Sequence, residues 1–381
     1  MTGGASTPRL VPWPEDARAR AELLVPIVGD ARVIAWTEGL HHTREFLSMR
    51  NAAVATLVEE VGVTAIAAET SFTEALAVDA YLRGEGPDEP DASVLEGAWS
   101  WGGALQLNRE LVVRLRRHNE SAEPDRRVRF YGLDPCGAHR GRFPHARRGI
   151  DDAVAYVVAA DPEAGEAVRA GVAPLLGRFS TDGYPLLAAG ERDRLSGAIA
   201  DLRTWFDRES ADRQGDPAFR LARHQATLAG HLDLFLRGGG RGAQTARRDA
   251  AQADSLRFVL DEHGPAGRIL LFEQVDHLID LPGTLGHHLR VMLPGQVRTI
   301  GSVWERAPDG STDHRHNVEA MSTALATAVE RLAENQRSGN YFCDLGGSAS
   351  SVVSADAPDG AARFLGSFDA TLYVPTLTAA R

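Results

Sequence analysis

Cysteine is scarce: Cys136 and Cys343 are the two in 381 residues. Two thiols exclude a disulfide framework and a thiolate metal site. Lysine is missing altogether, so all 41 basic residues are arginine. That is the coding bias of a GC-rich genome and concerns the host, not the chemistry. Long apolar runs are also missing. No stretch approaches the roughly 20 residues that cross a bilayer, and the opening MTGGASTPRLVPWPEDARAR has no apolar signal core, so a cytoplasmic protein is expected. Positive charge is outweighed: the formal net charge of -11 argues against nucleic acid or an anionic membrane as partner. The basic cluster RRVRF at 126–130 reads as a solvated approach to a strand. Several catalytic signatures are absent too. There is no HExxH or CxxC spacing for zinc, no GxSxG elbow for a serine nucleophile and no GxxxxGK[ST] phosphate loop. The glycine-rich RGGGRG at 237–242 follows no strand.

What is present is an ordinary globular composition, 43% hydrophobic and 24% charged, long enough for a substantial core. Short apolar runs at Arg32–Trp36, Val63–Ala68, Val128–Tyr131, Arg268–Phe272, Val297–Val303 and Ala370–Val374 read as strands. Helix-like stretches at 43–61, 73–83, 104–119, 246–263 and 313–335 surround them. This alternation predicts an α/β fold with a mostly parallel central sheet flanked by helices. From about Ala146 to Arg237 the chain is Ala-, Leu- and Arg-rich with helical periodicity over 150–160, 163–175, 190–209 and 216–237. A helical insertion or lid is expected there. The resulting organisation is an N-terminal arm over 1–25, a first α/β part over 26–145, the helical insertion over 146–240 and a second α/β part over 241–381.

Ligands of open α/β sheets bind beyond the carboxyl ends of the strands. Glu38, Glu69, Asp134 and the group Glu273, Gln274, Asp276 and His277 all follow expected strands. Four strands of one sheet ending in carboxylate or imidazole groups point to a site. Arg50 supports it from the next helix, where Thr43 is a candidate N-cap and Phe46, Ala53, Val54, Leu57 and Val61 form an apolar stripe. Arg50 falls within that stripe, and a buried guanidinium needs an acidic partner; Glu38 and Glu69 are nearest by topology. His41 sits in the loop between, where an imidazole suits a general base. The bland alternatives are a surface or capping histidine and an arginine reaching to the helix edge. A metal held by His41, Glu38, Glu69 and His277 is a further option without supporting spacing, and the reading adopted has no metal and no cofactor.

These residues resemble the erythromycin esterase family. Its G-E-x-x-H segment, with an acid four residues past the histidine and an arginine beyond, is matched by Glu38, His41, Glu45 and Arg50 in TEGLHHTREFLSMR. Thr37 stands where the family usually has glycine. VTAIAAETSF, with Glu69, is similar to the strand ending in glutamate, and DAYLRGEG, ELVVRLRRHN…VRFYGLD, RRDAAQADSLRFVL, TLGHHLRVMLPGQVRTIGSV and FLGSFDATLYV resemble later family segments. The likeness runs from about 30 to 375. It implies hydrolysis of a lactone or ester without a required metal, and a macrocyclic small molecule as substrate. On the same resemblance His41 would activate water and Glu38 would orient His41. Arg50 and Glu69 would complete the polar network, and His277 would polarise the carbonyl or hold the oxyanion. Gln274 and Asp134 are the expected substrate-binding residues. One departure stands out: the family's H-N-x-H reads Q-V-D-H here, so Gln274 replaces a titratable histidine. That leaves two alternatives open. One is a natural-product tailoring enzyme using the same site for transfer, cyclisation, elimination or dehydration. The other is a binding protein without turnover.

Overall fold

The structure, a computed structural model, describes residues 9–99, 105–135, 147–308, 339–345 and 361–380. The helix expected over 313–335 and Cys136 lie outside the described residues. The chain runs β1 (Arg9–Pro12), α1 (Ala17–Val28), β2 (Val33–Glu38), α2 (Arg44–Thr56), β3 (Ala65–Ser71), α3 (Phe72–Leu82), α4 (Ala92–Ala98), α5 (Gln106–Ser121) and β4 (Arg129–Asp134). A helical block follows, α6 (Arg147–Ala160), α7 (Pro162–Val172), α8 (Ala189–Arg213) and α9 (Pro217–Leu236). The chain then continues through α10 (Arg241–His263), β5 (Ile269–Gln274), α11 (Leu285–Met292), β6 (Val297–Arg306), β7 (Tyr341–Asp344), α12 (Ala361–Leu365) and β8 (Ala370–Thr376).

The strands form one sheet in the order β1-β7-β8-β6-β2-β5-β3-β4. From β8 to β4 every neighbour is parallel, while β1 and β7 add an antiparallel edge. These two antiparallel strands escape the sequence reading because each is only four residues long. The N-terminal arm is thus partly a strand and partly α1. Alternate strand residues serve two cores, as a sheet covered on both faces requires. Ile34, Trp36, Ile66, Ala68, Leu270 and Phe272 face one core with Leu24 of α1 and Val54 of α2. Val33, Ala35, Ala65, Ala67, Ile269 and Leu271 face another with Leu256 and Val259 of α10. The helical block has a third core of its own, built around residues such as Val157, Leu195, Leu202, Phe206 and Phe219. Among the described residues no helix is long and apolar enough to cross a membrane.

The path of the chain places the site. From β2 it moves outward to β3 and β4, then returns to insert β5 between β2 and β3 before continuing to β6 on the far side. The carboxyl ends of β2, β5 and β3 therefore surround the point where the winding reverses, which is where open α/β sheets leave a crevice.

Candidate active site

The strands run further than their apolar runs suggest. Glu38 is the last residue of β2, Asp134 the last of β4, and Glu69, Glu273 and Gln274 lie inside β3 and β5. Parallel register sets Thr37 beside Glu273 and Glu38 beside Gln274. In β3 the pairing with β4 slips between Ala68 and Ser71, a bulge that re-aims Glu69 at the strand end. Gly132 of β4 lies against this bulge, and a Cβ there would come within 2.4 Å of the Ser71 carbonyl oxygen.

A small pocket opens at these ends. Glu38, His41, Arg50, Glu69 and Glu273 supply its polar lining, and Trp36, Phe46, Trp99 and Phe272 its aromatic walls. Among the described residues none of the helical block lines it. Among the described residues its walls come from β2 and the loop after it, α2, β3, β5 and Trp99 just after α4.

His41 is nearly enclosed, its side chain 10% exposed. Its Nδ1 lies 3.3 Å from Glu38 Oε2, which fixes Nδ1 as the donor and leaves Nε2 as the basic nitrogen. Nε2 faces Glu69 Oε2 at 3.8 Å, beyond direct hydrogen bonding and at a distance where a water can lie against both. The loop carrying it is tied down. His42 holds φ 62 in the left-handed region, its carbonyl accepts from Ala380 N, and Thr378 O accepts from Arg44 N. Glu45, part of the opening motif, accepts from the backbone N–H and hydroxyl of Thr378, so its role is to clamp this segment. His42 and Arg44 are exposed. Thr43 occupies the N-cap position with extended backbone, but its hydroxyl donates to Leu40 O and does not cap the helix.

Arg50 is buried, as the apolar stripe requires, but not paired as expected. Its Nη2 donates to Asn108 Oδ1 at 2.6 Å and to Asn51 Oδ1 at 2.9 Å, and its guanidinium carbon lies 4.4 Å from the Trp99 ring centroid. Neutral amides and an aromatic face replace the carboxylate partner. Burial lowers its pKa to about 10, against the pull of Glu38.

The carboxylate partners are taken by Arg248 of α10. Its Nη2 meets Glu69 Oε1 at 2.7 Å and Asp134 Oδ2 at 2.8 Å, and Nε meets Asp134 Oδ1 at 2.7 Å. Its Nη1 lies 3.0 Å from His277 Nε2. Because a guanidinium only donates, His277 Nε2 accepts, and Nδ1 carries the proton toward Asp249 Oδ1 at 2.6 Å. Both ring nitrogens of His277 are thus committed inside the protein, away from the pocket. Asp134, expected at the substrate, is fully buried and spent on Arg248 and Gln252. Gln274 acts through its backbone, whose N–H lies 3.2 Å from Glu69 Oε2. Neither Asp134 nor Gln274 lines the pocket.

Burial raises the affinity of Glu69 for its proton, but Arg248 and His41 outweigh that and hold its carboxyl well below the usual range. Glu273 goes the other way: burial first, then the neighbouring Glu69 carboxylate, push it well above. The two neighbouring carboxyl groups are therefore pushed in opposite directions, Glu69 toward losing its proton and Glu273 toward keeping it. Glu69, Glu273 and His277 offer ligand atoms within 4.8 Å of one another. The positive charge at that place is already Arg248, which engages Glu69 Oε1 and His277 Nε2.

Arg248, Asp249 and Glu273 were absent from the residues singled out as catalytic or substrate-binding in the sequence. The signal for the first two was there. Arg248, Asp249, Gln252 and Ser255 recur at helical spacing on the face of α10 turned to the sheet, and the last three are fully buried. Glu273 gave its signal by interrupting the apolar run RILLFEQV.

Residues 58–371 match the family model described as erythromycin esterase. Erythromycin esterase type II of Escherichia coli is 22% identical over 285 residues, covering 71% of this chain and 66% of that protein. The chain thus spans just under two thirds of that relative's length. Among solved structures, an erythromycin esterase mutant, EreC, in its open conformation superposes with a TM-score of 0.72 at 16% identity, over 99% of both chains. A succinoglycan biosynthesis protein superposes with a TM-score of 0.68 at 14% identity, over 97% of this chain and 93% of that one. A Bacillus cereus protein gives a TM-score of 0.67 at 15% identity, over 97% and 94%. At these identities the likeness is one of fold.

Proposed function

The chain belongs to the erythromycin esterase family, and from that premise we propose that it hydrolyses an ester or lactone with His41 as the base that activates water. The observation that carries this is the setting of His41: Glu38 holds Nδ1, and Nε2 faces Glu69 across the pocket floor. A carboxylate that fixes the tautomer is what an imidazole base requires. Water oxygen attacks the acyl carbon while its proton passes to His41 Nε2. Arg50, whose hydrogen-bond partners are neutral amides, retains its charge for the oxyanion that forms. Arg248, Asp134, His277 and Asp249 hold Glu69 in place from behind, so His277 has a supporting part rather than a carbonyl-polarising one. The substrate class that the family name suggests is a macrocyclic lactone, and the role that goes with it is antibiotic resistance. Purified protein is expected to cleave such a lactone or a simple ester, and His41→Ala is expected to slow the reaction about 10²–10⁴-fold. Equal rates for the two proteins would remove His41 from the mechanism.

A second reading, a biosynthetic enzyme that eliminates or transfers rather than hydrolyses, is favoured by one observation. Gln274 cannot titrate, while burial and the neighbouring Glu69 raise the proton affinity of Glu273 beside it, a shift that suits a group protonating a departing hydroxyl. A precursor accumulating in a gene deletion, without loss of drug resistance, favours this reading.

A further inference from the structure

Glu273 lines the pocket yet has no part in the hydrolysis assigned to His41 and Arg50. It is 2% exposed, its Oε1 accepts from Gln274 N at 3.2 Å, and beyond the hydrogen-bonding contact of its carboxyl with Glu69 its Oε2 is buried without a protein partner. Buried polar atoms are nearly always satisfied, so an unsatisfied one at a pocket asks for a ligand. Beside it in register stands Thr37, where the family motif has glycine, with its own Oγ1 buried and unpartnered. On neighbouring parallel strands these two groups share one face at the pocket. An ionised carboxylate would be misplaced there, next to the ionised Glu69 and with no partner for one oxygen. A carboxylic acid fits.

We propose that Glu273 is the general acid of this site, with Oε2–H delivering its proton to the leaving oxygen of the substrate and Thr37 Oγ1 steadying that oxygen. The inference rests on the hydrolytic reading above and assigns the half of the reaction that His41 leaves open. Water oxygen bonds to the acyl carbon, and its proton goes to His41 Nε2. The bond from acyl carbon to alcohol oxygen breaks with its electron pair on oxygen, which takes the Glu273 proton. The proton on His41 then returns to Glu273 through Glu69, which lies between them: 3.8 Å from His41 Nε2 and within hydrogen-bonding contact of Glu273. Water and ester are consumed, acid and alcohol are formed, and the protein is restored.

A proton donor matters only when the leaving group needs a proton. Glu273→Gln keeps the shape and a hydrogen-bond donor but transfers no proton. With ethyl butyrate, whose alkoxide is a poor leaving group, its kcat is expected to fall about 10²-fold or more. With p-nitrophenyl butyrate, whose phenolate leaves unaided, the change is expected to stay under about threefold on the same principle. Equal loss on both esters, or loss on neither, overturns the proposal. Should Glu273→Gln fail to fold, the native protein supplies the same contrast. Its ethyl-ester kcat is expected to decline at alkaline pH as Glu273 ionises, while its p-nitrophenyl kcat does not. The groups facing Glu273 are Glu69 from β3, Arg248 from α10, Asp134 from β4, His277 after β5, and Glu38, His41 and Arg50 across the pocket. Ionisation of the base His41 moves both esters together, so a shared profile counts against Glu273. The state of the acid is also readable without turnover. The infrared carbonyl band of a protonated carboxyl is expected in the native protein at neutral pH and is expected to vanish in Glu273→Gln. If neither ester is cleaved while the band is present, the hydrolytic reading fails and the acid stands. If the band is absent, the acid fails whatever the protein cleaves.

Discussion

Arg50 and Arg248 carry the same side chain into neighbouring parts of one site, and their surroundings give them different work. Arg248 neutralises Glu69 and Asp134 directly, so removing it leaves carboxylates buried without a counter-charge. Arg248→Met is expected to cost about 3–5 kcal/mol of stability, the range for breaking a buried ion pair from one side. Arg50 is bonded to amides and stacked on Trp99, so Arg50→Met is expected to cost about 1–3 kcal/mol, the penalty of leaving amide acceptors unsatisfied. Urea titrations of the two variants check the order. A loss at Arg50 equal to that at Arg248 would mean that Arg50 answers a carboxylate after all. Which arginine is held by carboxylates and which lines the pocket is invisible in the sequence, where Arg50 stands in a recognised motif and Arg248 on a helix far down the chain.

At the scale of elements, the site depends on how the strands end. The bulge in β3 turns Glu69 toward His41 and Arg248, and it survives because β4 offers a glycine opposite. Gly132→Ala places a methyl against the Ser71 carbonyl, so the strands must part or the bulge must shift. A loss of about 1–3 kcal/mol is expected, as for overpacking elsewhere, together with a fall in ester cleavage larger than the stability loss explains. Thermal unfolding and kcat measured on the same preparation test this. Retained activity in a destabilised protein would show that the bulge does not set Glu69. The α2 region shows the opposite economy. Its apolar stripe is readable at helical spacing, but its last turn, Leu57–Val61, is wound as a π-helix, a local adjustment that periodicity does not reveal.

For the whole molecule, acidification should be felt in two stages. His224, buried between Phe72 and Phe258, is pushed down to about 3 by burial, and His263 is lowered to about 4. A histidine depressed in the fold stays neutral there while the unfolded chain binds a proton below about pH 6.5. Stability is therefore full above that value and lost as pH falls toward the folded pKa. Glu69 is depressed in the other class: its contribution is present above the ordinary carboxylate value and lost only below about pH 4.5. The expected profile declines from about pH 6.5, before the carboxylates protonate, and steepens below about pH 4.5. His224→Gln is expected to flatten the first stage and leave the second. Denaturant midpoints across pH measure it, and an unchanged first stage would mean His224 is not neutral in the fold.

The sequence by itself determined the fold class, the strands of the parallel sheet to within a few residues, and the polar groups His41, Glu38, Glu69 and Arg50. These follow from local facts: apolar runs of strand length, helical periodicity, and a charge inside an apolar stripe. It left out the two short antiparallel strands, the partner of Arg50 and the positions of Asp134 and His277 behind the pocket. It also gave Glu273 no role. These depend on which distant segments meet. Arg248 reaches Asp134 across 114 positions of sequence and Glu69 across 179, and Thr37 stands beside Glu273 because β5 inserts next to β2. Burial, counter-charge and strand register arise only when the sheet assembles, and they push the proton affinities of Glu69 and Glu273 in opposite directions.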